Sequence, residues 1–187
     1  ALYGGGGNDT IYGAGGGGSD AGNYIDGGGG DDLLYGGEFA DVLFDAFGNN
    51  TLHGGGGDDV MTVMSGDNIL QGDAGRDLMI GGSGSDTFDG GADDDVIVAD
   101  TSGFWVGNDT LQGGTGNDLL EGGGGSDTFV FNINDGDDVI AALGVDTGNL
   151  VATQLLGADF QVGVDTVSLI GFGYTSADEV MANVADQ

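Results

Sequence analysis

The sequence predicts an all-β protein, a right-handed parallel β-solenoid in which short strands alternate with tight turns. A nine-residue unit of the form G-G-x-G-x-D-x-U-x, where U is apolar, recurs along the chain and is clearest at residues 113–121 and 122–130. Glycine makes up 45 of the 187 residues, and proline is absent. An apolar residue also stands two positions after nearly every sixth-position aspartate. Six positions of each unit therefore have turn chemistry, and three have strand chemistry.

Each unit joins a glycine-rich turn to a short strand. Glycine adopts positive φ without steric cost, so the turn can bend tightly and direct its carbonyl oxygens toward one point. The sixth position adds a carboxylate. The last three positions alternate outward, inward and outward, so only the middle one must be apolar. The sixth positions are Asp9, Asp20, Asp32, Asp41, Asn50, Asp59, Asn68, Asp77, Asp86, Asp95, Asp109, Asp118, Asp127 and Asp138.

The strand centres follow two residues after these sixth positions. They are apolar in every unit except the second, where Gly22 occupies the place, and the spacing is nine residues throughout from Asp32 to Asp95. Units of this kind must stack on one another to bury their apolar centres. The predicted centres are Ile11, Gly22, Leu34, Leu43, Leu52, Met61, Leu70, Met79, Phe88, Ile97, Leu111, Leu120, Phe129 and Ile140.

One interval is much longer than the others. Fourteen residues separate Asp95 from Asp109, and the five extra residues lie within 99–106. We expect a surface loop or bulge here, with Phe104 and Trp105 covering neighbouring strands.

The charge balance restricts the possible partners. The chain has 32 acidic residues and one basic residue, Arg76, for a formal net charge of −31. Such a field repels nucleic acid and anionic membranes, and it opposes compaction unless cations neutralise it. We therefore expect no nucleic-acid partner, and we expect disorder in the absence of cations. Cysteine is absent, which excludes disulfides and thiolate metal sites.

Stacked turns offer places for cations. Two units make one coil of about 18 residues, so consecutive strands lie in opposite sheets and each turn stacks on the turn two units away, about 4.8 Å along the axis. Ca²⁺ accepts six to eight carboxylate and carbonyl oxygens. Fourteen turns on two edges allow at most about 14 − 2 = 12 ions, which would change the charge from −31 to −7. Folding and binding should then be one event.

Two turns depart from the pattern. Residues 45–50 and 63–68 lack the glycine pair and carry Asn50 and Asn68 at the sixth position. A neutral amide is a weaker calcium ligand than a carboxylate. We expect these turns to stack without a cation, through amide hydrogen bonds.

The repeat pattern ends near residue 142, so we divide the chain into a solenoid at 1–142 and a C-terminal cap at 143–187. Residues 149–152 and 165–170 read as strands. Residues 176–179 form a capping box before a short apolar helix stripe. A stacked array needs such a segment to close its exposed core. The N-terminal residues 1–3 read as the end of an earlier unit, so we expect a longer polypeptide.

Across about residues 4–140 the chain resembles RTX (repeats-in-toxin) proteins, whose parallel β-roll occurs in secreted proteases, lipases, epimerases, toxins, adhesins and surface-layer proteins. Residues 126–131 and 164–167 are similar to the end of such rolls. The resemblance implies calcium-dependent folding outside the cell after type I secretion, directed by an uncleaved C-terminal signal. It assigns calcium to the sixth-position aspartates and to backbone carbonyls at the first, third and fifth positions. The carbonyl positions are Gly4, Gly6, Asn8, Gly54, Gly56, Asp58, Gly72, Ala74, Arg76, Gly81, Ser83, Ser85, Gly90, Ala92, Asp94, Gly113, Thr115, Asn117, Gly122, Gly124 and Ser126.

The outward positions of alternate units are apolar as well. A broad exposed apolar surface usually marks an interface, so we expect this sheet to pack on the C-terminal segment, on another part of a longer protein or on a second copy. The alternative is that β-branched residues merely suit strands. The residues of this apolar outer face are Val42, Phe44, Val60, Leu78, Ile80, Val96 and Val98.

No catalytic constellation emerges from the sequence. His53 is the single histidine and is expected on the polar outer face, while lysine and cysteine are absent. The fixed period of the aspartates favours metal binding over paired catalytic carboxylates. We expect a non-catalytic, calcium-folded extracellular module for secretion, stabilisation or surface assembly. The alternative is the calcium-binding C-terminal domain of a secreted enzyme.

Overall fold

A computed structural model describes residues 1–13, 21–101, 106–132, 135–141, 154–155 and 168–170. Two sheets of parallel strands form the fold. The nine-stranded sheet contains β1 (Leu2–Gly6), β3 (Tyr24–Gly29), β5 (Val42–Asp45), β7 (Val60–Val63), β9 (Leu78–Ile80), β11 (Val96–Val98), β14 (Leu119–Glu121), β17 (Val139–Ala141) and β19 (Ser168–Ile170). The eight-stranded sheet contains β2 (Thr10–Tyr12), β4 (Leu33–Gly37), β6 (Thr51–Gly56), β8 (Ile69–Ala74), β10 (Thr87–Ala92), β13 (Thr110–Thr115), β16 (Thr128–Phe131) and β18 (Gln154–Leu155). The short strands β12 (Val106–Gly107) and β15 (Gly124–Gly125) pair with each other.

Consecutive strands alternate between the two sheets, as the repeat predicts. Every described strand pair is parallel, and equivalent positions of successive coils lie side by side. Leu34 of β4, for example, is in register with Leu52 of β6, which is in register with Leu70 of β8. The predicted all-β parallel roll with two units per coil is therefore confirmed.

The core is a double row of apolar strand centres between the sheets. These side chains are almost completely buried, and the strand centres of successive coils are in register and pack on one another. Val63 and Ala99, which begin turns, are buried with them. Only the middle one of the last three positions of each unit contributes a side chain to this core, because these three positions alternate in direction. The buried apolar residues are Ile25, Leu34, Leu43, Leu52, Met61, Val63, Leu70, Met79, Phe88, Ile97, Ala99, Leu111, Leu120, Phe129 and Ile140.

The second unit differs from the prediction. Ile25, not Gly22, is the buried centre of β3, and it is in register with Leu43. Asn23 therefore holds the sixth position, and its N–H donates to Asp41 Oδ1. The sequence permits this register, because an apolar residue follows two positions after Asn23. Asp20, the predicted metal ligand of this unit, lies outside the described residues.

The extra residues that follow Asp95 are inserted between the second and third positions of a turn. The Ala99 N–H donates to the Glu121 carbonyl, which continues the regular pairing from β11. Val106 and Gly107 pair with Gly124 and Gly125. The five inserted residues are therefore 101–105, and the predicted covering residues Phe104 and Trp105 are not among the described residues.

Two short C-terminal strands continue the sheets. β18 pairs with β16, and β19, which lies within the strand predicted at 165–170, pairs with β17. The predicted capping helix at 176–184 lies outside the described residues, and the boundary at 142 remains a prediction. No helix in the described part of the chain is long and apolar enough to cross a membrane.

Candidate metal centres

The turns stack along two edges of the roll. Both edges are named here after one of their aspartates, and the gap between two consecutive turns of an edge is called a step. The Asp77 edge begins at Asn23 and continues with turns 36–41, 54–59, 72–77, 90–95 and 113–118, and then with the described residues 135–138. The Asp86 edge contains turns 4–9, 27–32, 45–50, 63–68, 81–86, 99–109 with its insertion, and 122–127.

The turn backbone alternates in its sign of φ. In a regular turn the second and fourth residues have positive φ, as in Gly55 (106°) and Gly57 (105°). Asp73 and Asp93 occupy such positions at 73° and 78°. Glycine adopts this left-handed region freely, and aspartate tolerates it better than most other residues. Backbone conformation thus explains the second glycine of each pair and the glycine at the fourth position.

A ladder of hydrogen bonds connects the sixth positions along each edge. The backbone N–H of one aspartate donates to Oδ1 of the equivalent aspartate in the next turn. On the Asp77 edge, Asp59 donates to Asp77 and Asp77 donates to Asp95, both at 2.8 Å. The same pattern continues across the inserted turn, where Asp86 donates to Asp109 at 2.8 Å. Each carboxylate is therefore held between its own turn and the turn below.

The second carboxylate oxygen of these residues has no hydrogen-bond donor. An unpaired, buried anionic oxygen is costly unless a positive partner compensates it. The carboxylates themselves are buried, with Asp59, Asp86 and Asp109 each 1% exposed. The aspartates with a buried, unpartnered Oδ2 are Asp9, Asp32, Asp41, Asp45, Asp59, Asp77, Asp86, Asp95, Asp109 and Asp118.

Six of these ten unpartnered oxygens lie close to a backbone carbonyl of the next turn, across a small space. The first-position glycine borders this space. A Cβ on Gly4 would lie 2.7 Å from Asp9 Oδ2 and 2.6 Å from the Gly27 carbonyl oxygen. A Cβ on Gly72 would likewise collide with Asp77 Oδ2 and with the Gly90 carbonyl oxygen. The same pairing of carboxylate and carbonyl occurs at Gly36, Gly54, Gly81 and Gly90.

This donor set fits a hard divalent cation. The oxygens are carboxylates and carbonyls, the ligands that Ca²⁺ prefers. No group of three or more histidine, aspartate or glutamate side chains converges in the described ranges, so backbone carbonyls would supply a large share of the ligands. Calcium at a step would be held by the lower aspartate Oδ2, by the carboxylate of the upper aspartate and by turn carbonyls, and it would compensate their buried charge.

Burial also makes these carboxylates difficult to ionise without a cation. Loss of hydration raises the pKa of Asp59 to about 7, although the hydrogen bond from the Asp41 N–H opposes the rise. For the same reason the pKa values of Asp95 and Asp109 rise to about 8. A bound cation stabilises the ionised form, so cation binding and proton release are coupled.

The third and fifth positions take part in further hydrogen bonds. The carbonyls of Ala74 and Ala92 accept the N–H groups of Gly57 and Gly75 at 2.9 and 3.1 Å. A carbonyl oxygen has a second lone pair, so calcium ligation at these positions remains a prediction.

At the fifth positions, exposed polar side chains form an outer ladder that sequence reasoning missed. Where the fifth-position side chain can accept a hydrogen bond, a backbone N–H of the turn above donates to it. Asn117 thus donates to Asp94, and Ser126 donates to Asn108. Arg76 combines this bond with a 2.7 Å ion pair to Asp58 Oδ2, which neutralises local charge.

The asparagine hydrogen bonds that were predicted for the two degenerate turns are present. The Asn50 N–H donates to Asn68 Oδ1 at 2.8 Å. The Asn68 Nδ2 donates to the Gly66 carbonyl and to Asp86 Oδ1, both at 2.9 Å. The amide nitrogens of Asn50 and Asn68 are hydrogen-bond donors at the place where the regular turns have an unpaired anionic oxygen. The step between Asn50 and Asn68 therefore has no sixth-position carboxylate.

Two buried carboxylates on the Asp86 edge, Asp45 and Asp100, were not predicted as site residues. Asp45 replaces the first-position glycine of a degenerate turn, and burial raises its pKa to about 7, with the Phe47 N–H opposing the rise and Asp32 adding to it. Asp100 is 4% exposed, and its Oδ2 accepts the N–H groups of Gly107 and Gly124. Asp100 thereby joins the two ends of the insertion. Both residues stand at turn positions where the repeat has glycine, and this departure from the pattern could have identified them.

The outer faces of the two sheets differ. On the nine-stranded sheet, Phe44, Leu78 and Ile80 are half-buried, and Val42 is 39% exposed. An interface on this apolar outer face remains a prediction. On the eight-stranded sheet, the rings of Tyr12, Tyr35 and His53 stack at centroid distances of 4.8 and 4.7 Å, which places His53 on the predicted outer face.

The comparison with known families agrees with this geometry. A model of the RTX calcium-binding nonapeptide repeat (4 copies) matches residues 1–20, 18–43, 35–67, 62–97 and 106–133, which together are more than half of the chain. No curated protein matches the chain. Repeats of this family bind Ca²⁺, the cation that the oxygen donors favour. The chain therefore belongs to the family of RTX calcium-binding nonapeptide repeat proteins.

Proposed function

We propose that this chain is a non-catalytic, calcium-folded module of an extracellular protein that serves secretion, stabilisation or assembly at the cell surface. The observation that supports this proposal is the series of buried, unpartnered carboxylate oxygens along both edges. At pH 7 the chain has a formal net charge of −31, so bringing these groups together as carboxylates is strongly unfavourable without bound cations. Calcium is thus a structural component of the fold.

Calcium concentration then decides where the module folds. Extracellular calcium modules typically have dissociation constants of about 10⁻⁴–10⁻³ M, far above the range of about 10⁻⁷–10⁻⁵ M in which intracellular calcium sensors respond. A chain that folds only at the higher concentration stays unfolded inside the cell. An unfolded chain is suited to export through a type I secretion apparatus, and calcium outside the cell then traps the folded roll.

A calcium titration tests the proposal. The chain is freed of metal with a chelator, and calcium is added while far-ultraviolet circular dichroism and sedimentation velocity are recorded. We expect disorder without calcium and a cooperative gain of β-structure as calcium approaches the millimolar range. Magnesium should be a poor substitute, because it requires near-ideal octahedral geometry and loses its water reluctantly. A chain that is folded in chelator and unaffected by calcium would contradict the proposal.

Sedimentation also separates the possible roles. A compact monomer at saturating calcium would support a role in secretion or stabilisation. Large ordered assemblies would support surface assembly and would point to the apolar outer face as the contact.

A further inference from the structure

Two carboxylates face one another at a step where the repeat supplies only one. Asp32 and Asp45 are 3% and 0% exposed, and Oδ2 of each lacks a hydrogen-bond donor. A Cβ on Gly27 would lie 2.5 Å from Asp32 Oδ2 and would collide with Asp45 Oδ2. Both oxygens therefore border the space that at regular steps lies between one carboxylate and one carbonyl.

Asp45 compensates for a loss in the same turn. At a regular step two sixth-position aspartates flank the gap, the lower one with its free Oδ2 and the upper one with the Oδ1 that accepts the N–H of the lower. Between turns 27–32 and 45–50 the upper residue is Asn50, whose Oδ1 accepts the Asp32 N–H at 2.8 Å. Asn50 has no negative charge, and Asp45 restores the second carboxylate.

The neighbouring degenerate turn provides an internal comparison. Turn 63–68 also has an asparagine at the sixth position, Asn68, but its first position is Val63, an apolar side chain that is 1% exposed. No carboxylate replaces the missing one there. The steps on either side of this turn are held by amide hydrogen bonds.

The Asp45 side chain is fixed in this orientation by its own turn. Its Oδ1 accepts the Phe47 N–H at 3.2 Å, and its backbone carbonyl accepts the Met64 N–H at 3.1 Å. Oδ2 is left facing Asp32. The chain contains one basic residue, Arg76, and it pairs with Asp58 on the opposite edge. A cation from solution is thus the partner available to two buried carboxylates.

We propose that Asp32 and Asp45 together bind one calcium ion between turns 27–32 and 45–50, at a site that the nine-residue pattern does not encode. As a result, the Asp86 edge contains two calcium-binding stretches, separated by the amide-bonded steps on both sides of turn 63–68. This inference rests on the proposed function, because it requires that the regular steps bind calcium.

The test compares D45N with D26N. Asparagine has nearly the same shape as aspartate and removes one negative charge. Asp26 lies on the outward side of β3 and is half-exposed, so D26N makes the same change of charge nearby without changing the step. Bound calcium per folded chain is measured by equilibrium dialysis with atomic absorption, and folding is followed by circular dichroism. We expect D45N to bind one ion fewer than the wild-type protein and D26N to bind the same number.

A second readout separates a calcium ligand from a structural residue. D45N removes repulsion between two buried carboxylates, so it should fold at least as readily as the wild-type chain in chelator at neutral pH. At saturating calcium it should have the lower melting temperature. If D45N does not fold, D45G, which carries the residue of the regular turns, is measured with the same expectation of one ion fewer.

The outcomes are distinguishable. Equal numbers of ions in the wild-type protein and in D45N would overturn this inference and would indicate that Asp32 and Asp45 share a proton. A wild-type chain that binds no calcium would overturn the proposed function instead.

Discussion

Substitution of Gly72 by alanine tests whether the space at each step is a calcium site. The added Cβ would collide with Asp77 Oδ2 and with the Gly90 carbonyl oxygen, and the carbonyl cannot move without the backbone. Gly72 does not have positive φ, so alanine introduces no backbone strain. An ion present at about 100 times its dissociation constant stabilises the fold by about 2.7 kcal/mol. For a domain of this size, loss of that contribution lowers the melting temperature by about 5–10 °C.

Calcium counting and calorimetry measure these effects, and G56A is the matched control. Gly56 also lacks positive φ, it lies at the third position of the preceding turn, and its nearest contact for a new Cβ is the Glu38 carbonyl oxygen at 3.5 Å. G56A keeps the backbone carbonyl and should bind as many ions as the wild-type protein. G72A should bind at least one fewer. The reasoning is refuted if G72A and G56A bind the same number and melt at the same temperature in saturating calcium.

Three further predictions concern pH, the degenerate turns and the core. The pKa values of Asp95 and Asp109 are raised to about 8 from the usual 3.8. The metal-free folded chain therefore binds more protons than the unfolded chain. The stability of the metal-free fold is then highest below pH 3.8 and declines as the pH rises to about 8. Calcium affinity should change in the opposite direction and increase up to about pH 8. Calcium binding should release protons, which calorimetry in buffers of different ionisation enthalpy detects. A calcium affinity that does not depend on pH would contradict this prediction. N68D should cost about 1–3 kcal/mol in denaturant melts without adding a calcium ion, because the new carboxylate opposes Asp86 Oδ1 while buried Val63 holds the first position that glycine leaves open at regular steps. An additional bound ion would disprove it. L52A removes a fully buried strand centre and should cost about 2–5 kcal/mol, measured as a higher calcium midpoint for folding, and an unchanged midpoint would count against a continuous core.

The fold follows from the sequence because its information is local and repeated. A nine-residue period with one apolar residue fixes the strand length, the inward side and the pairing partner of each unit. The prediction was wrong at the second unit, where the preference for aspartate over asparagine led to Asp20 and Gly22, although Asn23 stands nine residues before Asp32. The structure places Asn23 and Ile25 at these positions instead. Burial of an isoleucine decides this register, since a glycine has no side chain to contribute to the core.

The buried aspartates of the regular turns were also predictable, because an aspartate stands at the same position of each repeat. Asp45 and Asp100 were not recognised, since each occupies a place that the pattern reserves for glycine. Their role depends on what lies across the step, which only the stacked structure shows. The fifth-position ladder was missed for a related reason, because a single turn does not reveal that its exposed side chain accepts an N–H group from the turn above.

The insertion at 101–105 shows how the roll accepts additional sequence. The residues on both sides of it, Asp100 and Val106, keep the neighbours that they would have in an uninterrupted turn. Chain length can thus be added between the second and third residues of a turn without a shift in any later coil. For protein engineering, this is the place to graft a peptide epitope or a fluorescent label, since the stack above and below continues in phase.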